Sequence, residues 1–217
     1  MRVCIIGIGI TSLTLAKSLV NQNIWVDLWA QKKTIKPDLS RTIGISKSNV
    51  DYFNKNIVNI EKLIWKLKKI EIFSENLKKE KLLNFENNNN ELFSILKNFK
   101  LFDLLEKSLS KNKYFKKIHQ KKNLNFLENY DLVINTEYSN QITKKYFSKQ
   151  IIKKYNSIAY TVIITHEKIQ NNTASQIFTK RGPLAFLPIS DTQTSIVYSL
   201  NNQDYKKNEN IIYLISQ

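Results

Sequence analysis

The chain opens with an apolar run that ends in a glycine turn. Residues 3–6 are mostly β-branched, which is typical of a strand buried on both faces. After the turn Gly7-Ile-Gly9, apolar side chains recur at helical spacing, at Leu13, Leu15, Ala16 and Leu19. A second short apolar run, residues 24–29, follows three polar residues. This order predicts a strand, a helix and a second strand parallel to the first.

The middle of the chain mixes helical and extended patterns. Residues 47–70 and 92–109 each carry apolar side chains near one helical face, and both are predicted to be helices. Four successive asparagines at 87–90 predict a turn. Short strands are predicted at 70–73, 81–85 and 131–135.

From residue 157 onward, short apolar runs alternate with turns. Gly182-Pro183 and residues 190–193 supply turn signals. Because such short connections cannot carry parallel crossovers, the runs predict one mainly antiparallel sheet. We expect this sheet to have an open edge or an uncovered apolar face. Its strands are predicted at 159–165, 174–178, 184–189 and 195–200. The predicted fold class is α/β: a Rossmann-like parallel sheet, with a mixed antiparallel sheet inserted into it and following it.

The charge of the chain is strongly positive. It has 217 residues, with 34 Lys+Arg against 18 Asp+Glu, a formal net charge of +16. Such a balance favours polyanions or an anionic membrane face, although scattered lysines are also typical of a coding sequence rich in A and T. The basic segment 107–122, which includes Tyr114 and Phe115, is either a solvated surface or a contact for nucleic acid or anionic lipid. The single cysteine, Cys4, indicates a reducing compartment, and we expect a cytoplasmic protein.

The glycine turn carries the first chemical signal. Gly7 permits a tight turn, and Gly9 lets the backbone approach a pyrophosphate at the N-terminus of the following helix, whose first turn contains Thr11. A third glycine is usual where this chain has Ser12. An acid normally binds the ribose at the end of the second strand; that position is Ala30 here, and Asp27 is a possible substitute on the same strand.

Several segments, in order along nearly the whole chain, resemble one family. Arg41-Thr-Ile-Gly-Ile-Ser46 resembles the Arg-x-x-Ala-Leu-Ser segment of the FAD-dependent hydroxylases of ubiquinone biosynthesis. These enzymes are a branch of the para-hydroxybenzoate-hydroxylase-like flavin monooxygenases. Asn172-Thr-Ala-Ser-Gln-Ile-Phe178 and Gly182-Pro-Leu-Ala-Phe-Leu-Pro-Ile189, followed by Ser195-Ile-Val-Tyr-Ser199, match the same family most closely.

Other positions depart from the family. Its Ala-Asp-Gly segment aligns with Thr136-Glu137-Tyr138, so a glutamate replaces aspartate and a tyrosine replaces glycine. We expect the tyrosine to displace a neighbouring group, because glycine there allows close approach. The second flavin motif, Gly-Asp-Ala-x-His, has no counterpart in these 217 residues. We therefore expect a truncated relative of the family. The stretch between Ile118 and Asp131 is also shorter than in the family, so we expect part of the peripheral sheet to be absent.

The resemblance implies a role for each part of the chain. Residues 1–60 and 100–150 would form the FAD-binding part, and residues 61–99 and 151–217 the substrate part. The implied cofactors are FAD and NAD(P)H. The implied cofactor-binding residues are Gly7, Gly9, Thr11, Ser12, Arg41 and Glu137; the implied substrate-side residues are Phe186 and Pro188.

The implied reaction is hydroxylation of a polyprenylated phenol in ubiquinone biosynthesis. The flavin supplies the redox chemistry, so we predict neither a catalytic side-chain constellation nor a metal site. The implied partners are the phenol and a membrane or ubiquinone-biosynthesis complex at the inner membrane face, without a specific nucleic acid. Two alternatives stay open: a non-catalytic homologue that acts as an interaction subunit, and a basic module that binds nucleic acid or anionic lipid.

Overall fold

The computed structural model describes most of the chain in two compact units. The described residues are 1–30, 37–75, 80–86, 91–119, 124–138, 140–146, 151 and 153–201. The first unit comprises Met1–Asp38, Val50–Lys62 and Phe99–Ile152, and the second comprises Leu39–Asn49, Leu63–Asn98 and Lys153–Gln217. No helix in the described ranges is long and apolar enough to cross a membrane.

The first unit is built on a four-stranded parallel sheet. Its strands are β1 (Arg2–Ile6), β2 (Trp25–Ala30), β8 (Phe115–His119) and β9 (Leu132–Asn135). They lie in the order β8-β2-β1-β9, and β1 is parallel to both β2 and β9. Residues 3–6 are fully buried, as expected for a central strand with both faces covered. The predicted parallel arrangement of β1, β2 and β9 is confirmed.

Helices of the first unit bury their apolar faces. α1 (Ile10–Val20) buries Leu13, Ala16 and Val20, and α3 (Asn98–Ser110) buries Leu101, Leu105 and Leu109. α2 (Lys47–Asn56), a 3-10 helix (Leu124–Asn129) and α4 (Gln141–Tyr146) are shorter. Phe126 of the 3-10 helix and Ile142 of α4 pack with Cys4, Ile6 and Trp29 of the sheet.

The second unit contains a six-stranded mixed sheet in the order β10-β13-β12-β11-β5-β6. All its pairings are antiparallel except β11 with β5. The predicted late antiparallel sheet is therefore confirmed, and β10 and β6 are its edges among the described residues. The strands are β5 (Lys69–Ser74), β6 (Lys81–Glu86), β10 (Ser157–Thr165), β11 (Thr173–Thr179), β12 (Gly182–Pro188) and β13 (Gln193–Asn201).

A three-stranded antiparallel sheet completes the second unit, in the order β3-β7-β4. Its strands are β3 (Thr42–Ser46), β4 (Ile64–Leu67) and β7 (Phe93–Lys97). Leu67 and Ile95 of this sheet form a buried cluster with Ala174 of β11. Leu187 of β12 packs against the same cluster.

Two predicted helices are wrong in part. Helix α2 ends at Asn56 rather than at residue 70, and residues 64–67 form β4. Residues 93–97 form β7, the central strand of its sheet, and only residues from Asn98 onward are helical. Apolar spacing fits a helix and a strand buried on both faces equally well over such short runs. Pairing of β7 with strands on both sides decides the outcome here.

Two other predictions concern a basic segment and an asparagine-rich segment. Residues 115–119, which lie in the basic segment 107–122, form β8 and pair with β2. The predicted asparagine turn at 87–90 lies outside the described residues.

Candidate functional site

The Gly7 turn connects the carboxyl end of β1 to α1. Gly7 has φ +123°, a backbone conformation that side chains rarely adopt. A Cβ added there would lie 2.3 Å from Thr136 Oγ1 and 2.8 Å from Ser12 Oγ. Its amide donates to the carbonyl of Trp29 at 2.9 Å. Only glycine therefore fits this position without a shift of the surrounding chain.

Gly9 has the opposite surroundings. It is exposed, and a Cβ added to it would meet no atom within 4 Å. Gly9 precedes the 11-residue helix α1, whose N-terminus has no side-chain cap and no acid in the first turn. Among the described residues no side chain caps the amides of the first helical residues, which include exposed Thr11, and a helix favours an anion at this end.

Ser12 and Glu137 lie beside Gly7. Ser12 is 1% exposed, and its hydroxyl oxygen is 2.7 Å from Thr136 Oγ1. The Glu137 side chain is half-buried, and its Cγ would lie 3.2 Å from a Cβ at Gly7. The structure thus brings together five of the candidate residues at the carboxyl end of β1: Gly7, Gly9, Thr11, Ser12 and Glu137.

A side-chain network fixes the segment that follows β9. Asn140 caps α4, because its Oδ1 accepts from the Thr143 amide at 2.8 Å. The Asn140 amide nitrogen donates to Asn135 Oδ1 at 2.9 Å, and the Thr143 hydroxyl donates to the Glu137 carbonyl at 2.7 Å. Sequence reasoning missed these residues, although an asparagine just before a helix is a known capping signal.

Tyr138 points into solvent. Its side chain is 88% exposed, and its backbone is not in the left-handed region. The ring is therefore not packed into the protein, and the expectation that this tyrosine displaces another group stays a prediction.

Asp27 is engaged elsewhere and is not free to bind a ribose. It is 5% exposed and lies in the middle of β2, opposite Cys4. Its Oδ2 accepts from Arg2 Nη2 and from the Tyr130 hydroxyl, both at 2.6 Å. Burial, followed by this hydrogen bond, raises the pKa of Tyr130. The suggestion that Asp27 substitutes for the missing acid is therefore wrong, and Ala30 at the end of β2 is buried.

A pocket of about 470 Å³ opens beside β9 in the first unit. Its apolar wall includes Leu127, Val133 and Ile142, and its polar rim includes Asn135, Lys145 and Tyr146. This volume lies within the range of small-molecule sites, about 300–1,000 Å³. The pocket adds a second concave surface near the end of β9, where the capping network begins.

The remaining candidate residues lie in the second unit. Arg41 is exposed and precedes β3, and its carbonyl accepts from the Asn98 amide at 3.0 Å. Phe186 is half-buried and Pro188 is buried on β12. Both alternate with Leu187, which packs on the cluster of the three-stranded sheet, so Phe186 and Pro188 lie on the opposite face of β12.

The chain shares its fold with solved structures. No protein-family model matches the sequence, and no curated protein is significantly similar to it. Solved structures do match. PqsL of Pseudomonas aeruginosa, described as a probable FAD-dependent monooxygenase, superposes with a TM-score of 0.71 at 12% identity, over 94% of this chain and 61% of PqsL.

Two further structures agree. HpxO of Klebsiella pneumoniae, solved with FAD and uric acid, has a TM-score of 0.71 at 10% identity. The match covers 96% of this chain and 58% of the HpxO chain. A geranylgeranyl bacteriochlorophyll reductase-like protein of Thermoplasma acidophilum has a TM-score of 0.72 at 13% identity, over 99% of this chain and 60% of its own. The chain spans about three fifths of the length of these proteins and, over that length, has the fold of the FAD-dependent monooxygenases.

Proposed function

We propose that the chain is an FAD-binding protein of the aromatic-ring monooxygenase type, and that it binds the FAD pyrophosphate at the Gly9 turn. The observation that carries this proposal is the open backbone at Gly9 before an uncapped helix N-terminus. It lies at the carboxyl end of a central parallel strand, where nucleotides bind in this class of fold. Gly7, Thr11 and Ser12 would form the rest of the turn.

The fit to FAD is good at the pyrophosphate and poor at the ribose. The Gly9 turn leaves room for a phosphate, but Ala30 offers no carboxylate and Asp27 is held by Arg2 and Tyr130. Losing a charge-assisted hydrogen bond costs about 1.5–3 kcal/mol, and each 1.4 kcal/mol is tenfold in affinity. The changes at Ala30, Glu137 and Tyr138 together lead us to expect FAD affinity near millimolar for these 217 residues alone.

The proposed reaction is hydroxylation of a polyprenylated phenol. When bound, FAD would supply the redox chemistry with NAD(P)H as reductant, while the chain orients the substrate and excludes water. Arg41 would lie on the cofactor side, and Phe186 and Pro188 on the substrate side. The choice of a phenol from ubiquinone biosynthesis rests on the motifs at 172–199, because the similar structures were solved with other compounds, uric acid and 2-aminobenzoylacetate.

The proposed setting is cytoplasmic, at the inner membrane face. A polyprenylated substrate is dissolved in lipid, so contact with a membrane or with a ubiquinone-biosynthesis complex would bring the enzyme to it. No specific nucleic acid is part of this proposal. Residues 1–60 with 100–150 would bind the cofactor, and 61–99 with 151–217 would bind the substrate.

A second candidate is a non-catalytic homologue that acts as an interaction subunit. It is favoured by Tyr138, an 88% exposed aromatic side chain at the position where the family has a glycine. Large exposed aromatic residues are typical of binding surfaces.

Titration of the purified chain with FAD, followed by flavin fluorescence, tests the proposal. We expect saturable binding near millimolar that is lost when Gly9 is replaced by valine. NADH or NADPH oxidation with a prenylated phenol then separates the enzyme from the subunit. Absence of saturable binding would reject the flavin site and favour the second candidate. Submicromolar binding, or FAD retained at about one per chain, would mean that the altered positions cost far less than about 1.5–3 kcal/mol each.

A further inference from the structure

β8 forms one edge of the parallel sheet and carries a dense group of lysines. Among the described residues it pairs only with β2. Lys116 is exposed on this strand, Lys113 is exposed just before it, and Lys107 is exposed on α3. These residues belong to the basic segment that the flavin chemistry does not use.

Two grooves flank β8 and join these lysines into one surface. A groove of about 580 Å³ is lined by Met1, Trp25, Lys113, Phe115 and Lys116, among others. A second groove of about 470 Å³ is lined by Lys107, Phe115, Lys116 and Lys117, among others. Because Phe115 and Lys116 line both grooves, the surface is continuous. We call it the β8 surface and define it by Met1, Trp25, Lys107, Lys113 and Lys116.

The positive charge of the β8 surface is not neutralised by the acids around it. Glu106 pairs with Lys117, and Asp27 pairs with Arg2. The Asp131 carboxylate accepts from the uncharged Arg2 amide at 2.6 Å and keeps its negative charge, but the lysines outnumber it. Across the described part of the chain, Lys107, Lys113 and Lys116 form no ion pair. Three cations are therefore available to an external anion.

Apolar side chains stand among these cations. Trp25 is 52% exposed and Met1 is 65% exposed. Trp25 packs edge-on against Tyr114, with ring centroids 5.0 Å apart, and the Lys113 ammonium lies 5.0 Å from the Tyr114 ring centre. A tryptophan beside lysines is the usual composition of a surface that lies at a membrane interface.

We propose that the β8 surface docks on an anionic lipid bilayer, with Lys107, Lys113 and Lys116 against the headgroups and Trp25 at the interface. Charge complementarity favours a polyanion. A bilayer is favoured over single-stranded nucleic acid because a site for single-stranded nucleic acid stacks successive bases on several exposed aromatic rings. Tyr114 and Phe115 are half-buried here, so Trp25 alone is exposed among the aromatic residues that line the described surface. The proposal does not depend on flavin binding.

Vesicle co-sedimentation tests the charges. The unmodified chain should bind vesicles of phosphatidylcholine with phosphatidylglycerol, and should not bind phosphatidylcholine alone, in about 0.1 M salt. Replacing Lys107, Lys113 and Lys116 with glutamate should weaken binding at least about 100-fold, since each lysine contributes roughly one factor of five. The matched control replaces the exposed lysines Lys55, Lys62 and Lys154 with glutamate and lowers the net charge equally. Its binding should fall no more than about tenfold through the net charge.

Tryptophan fluorescence tests the apolar contact. Of the three tryptophans, Trp29 is buried and Trp25 is 52% exposed. Anionic vesicles should shift the emission of the unmodified chain to shorter wavelength, and the Trp25→Phe variant should lose most of that shift. Thermal melts should show that both triple variants fold, and the FAD affinity of the Lys107/Lys113/Lys116 variant should be unchanged.

Three outcomes would overturn the proposal. One is no binding to the anionic vesicles. Another is an equal loss of binding in the two triple variants, which would mean that net charge alone acts. The third is binding of a single-stranded oligonucleotide that depends on the same three lysines while vesicles are not bound, which would identify a nucleic-acid site instead.

Discussion

The hydroxyl oxygens of Ser12 and Thr136 lie 2.7 Å apart, although the two residues are 124 positions apart in the sequence. Thr136 Oγ1 donates its proton to the Ile6 carbonyl at 2.8 Å, so Ser12 must donate to Thr136. This chain of hydrogen bonds ties the start of α1 to the ends of β1 and β9. Ser12 occupies the position of the usual third glycine, and its hydroxyl joins elements that the glycine would bring together by close packing alone.

Thr136→Val should lower the free energy of unfolding by about 1–3 kcal/mol, because the buried Ser12 hydroxyl then lacks its acceptor. Ser12→Ala should cost less, about 1 kcal/mol, since Thr136 keeps its bond to Ile6. The double variant should be more stable than the sum of the two losses implies. Urea unfolding measures all three. Strict additivity would show that the two hydroxyls do not interact.

Gly7 and Gly9 should respond to substitution in opposite ways. Gly7→Ala should lower the free energy of unfolding by at least about 1–3 kcal/mol, because φ is +123° and the added Cβ would overlap Thr136 Oγ1. Gly9→Val should leave the melting temperature nearly unchanged, since φ is −75° and the space is open, yet it should reduce FAD binding. Thermal melts and FAD titration check both. A Gly7→Ala variant with normal stability would contradict the described turn.

Asp27→Asn should reduce stability without changing FAD affinity. The variant leaves Arg2 and Tyr130 without a charged acceptor, at a cost of about 1–3 kcal/mol. The control is Asp131→Asn, at an exposed carboxylate that accepts only a backbone amide in the described contacts and should cost less. A tenfold loss of FAD affinity in Asp27→Asn, with the fold intact, would restore Asp27 as the ribose ligand.

Glu71 should make part of the stability depend on acid. Its carboxylate contacts Lys81 and Lys69, and the hydrogen bond from Lys81, followed by that from Lys69, lowers its pKa from the usual 4.5. Because the folded pKa is the lower one, the stabilisation is fully present above the unfolded value. It is lost as the pH falls through the folded value.

The difference in melting temperature between the unmodified chain and Glu71→Gln should therefore be largest near neutral pH and should shrink as the pH falls below about 4.5. Glu80→Gln is the control, because Glu80 is exposed and forms no ion pair within the described residues. A difference that stays constant from neutral pH down to acid would show that the carboxylate charge does not stabilise the fold.

Local patterns were enough to predict the nucleotide-type end of the first unit. Residues 3–6 are apolar and mostly β-branched, and glycines follow them at once, so the strand and turn are encoded within one short segment. The late strands were likewise predictable because turn residues separate them. In both regions, the signal for each element lies within the element or at its ends.

Tertiary partners decided the rest. Residues 64–67 and 93–97 have spacing that also fits a helix, and they are strands because each pairs with a distant segment. From the sequence, Asp27 is a possible ribose-binding acid on β2. In the folded chain its carboxylate accepts hydrogen bonds from Arg2 and Tyr130. The spacing of apolar residues indicates which side chains are buried. It does not indicate which segments cover them, or which partners a polar side chain such as Asp27 binds. Those choices depend on residues far apart in the sequence, such as Ser12 and Thr136, which only the folded chain brings together.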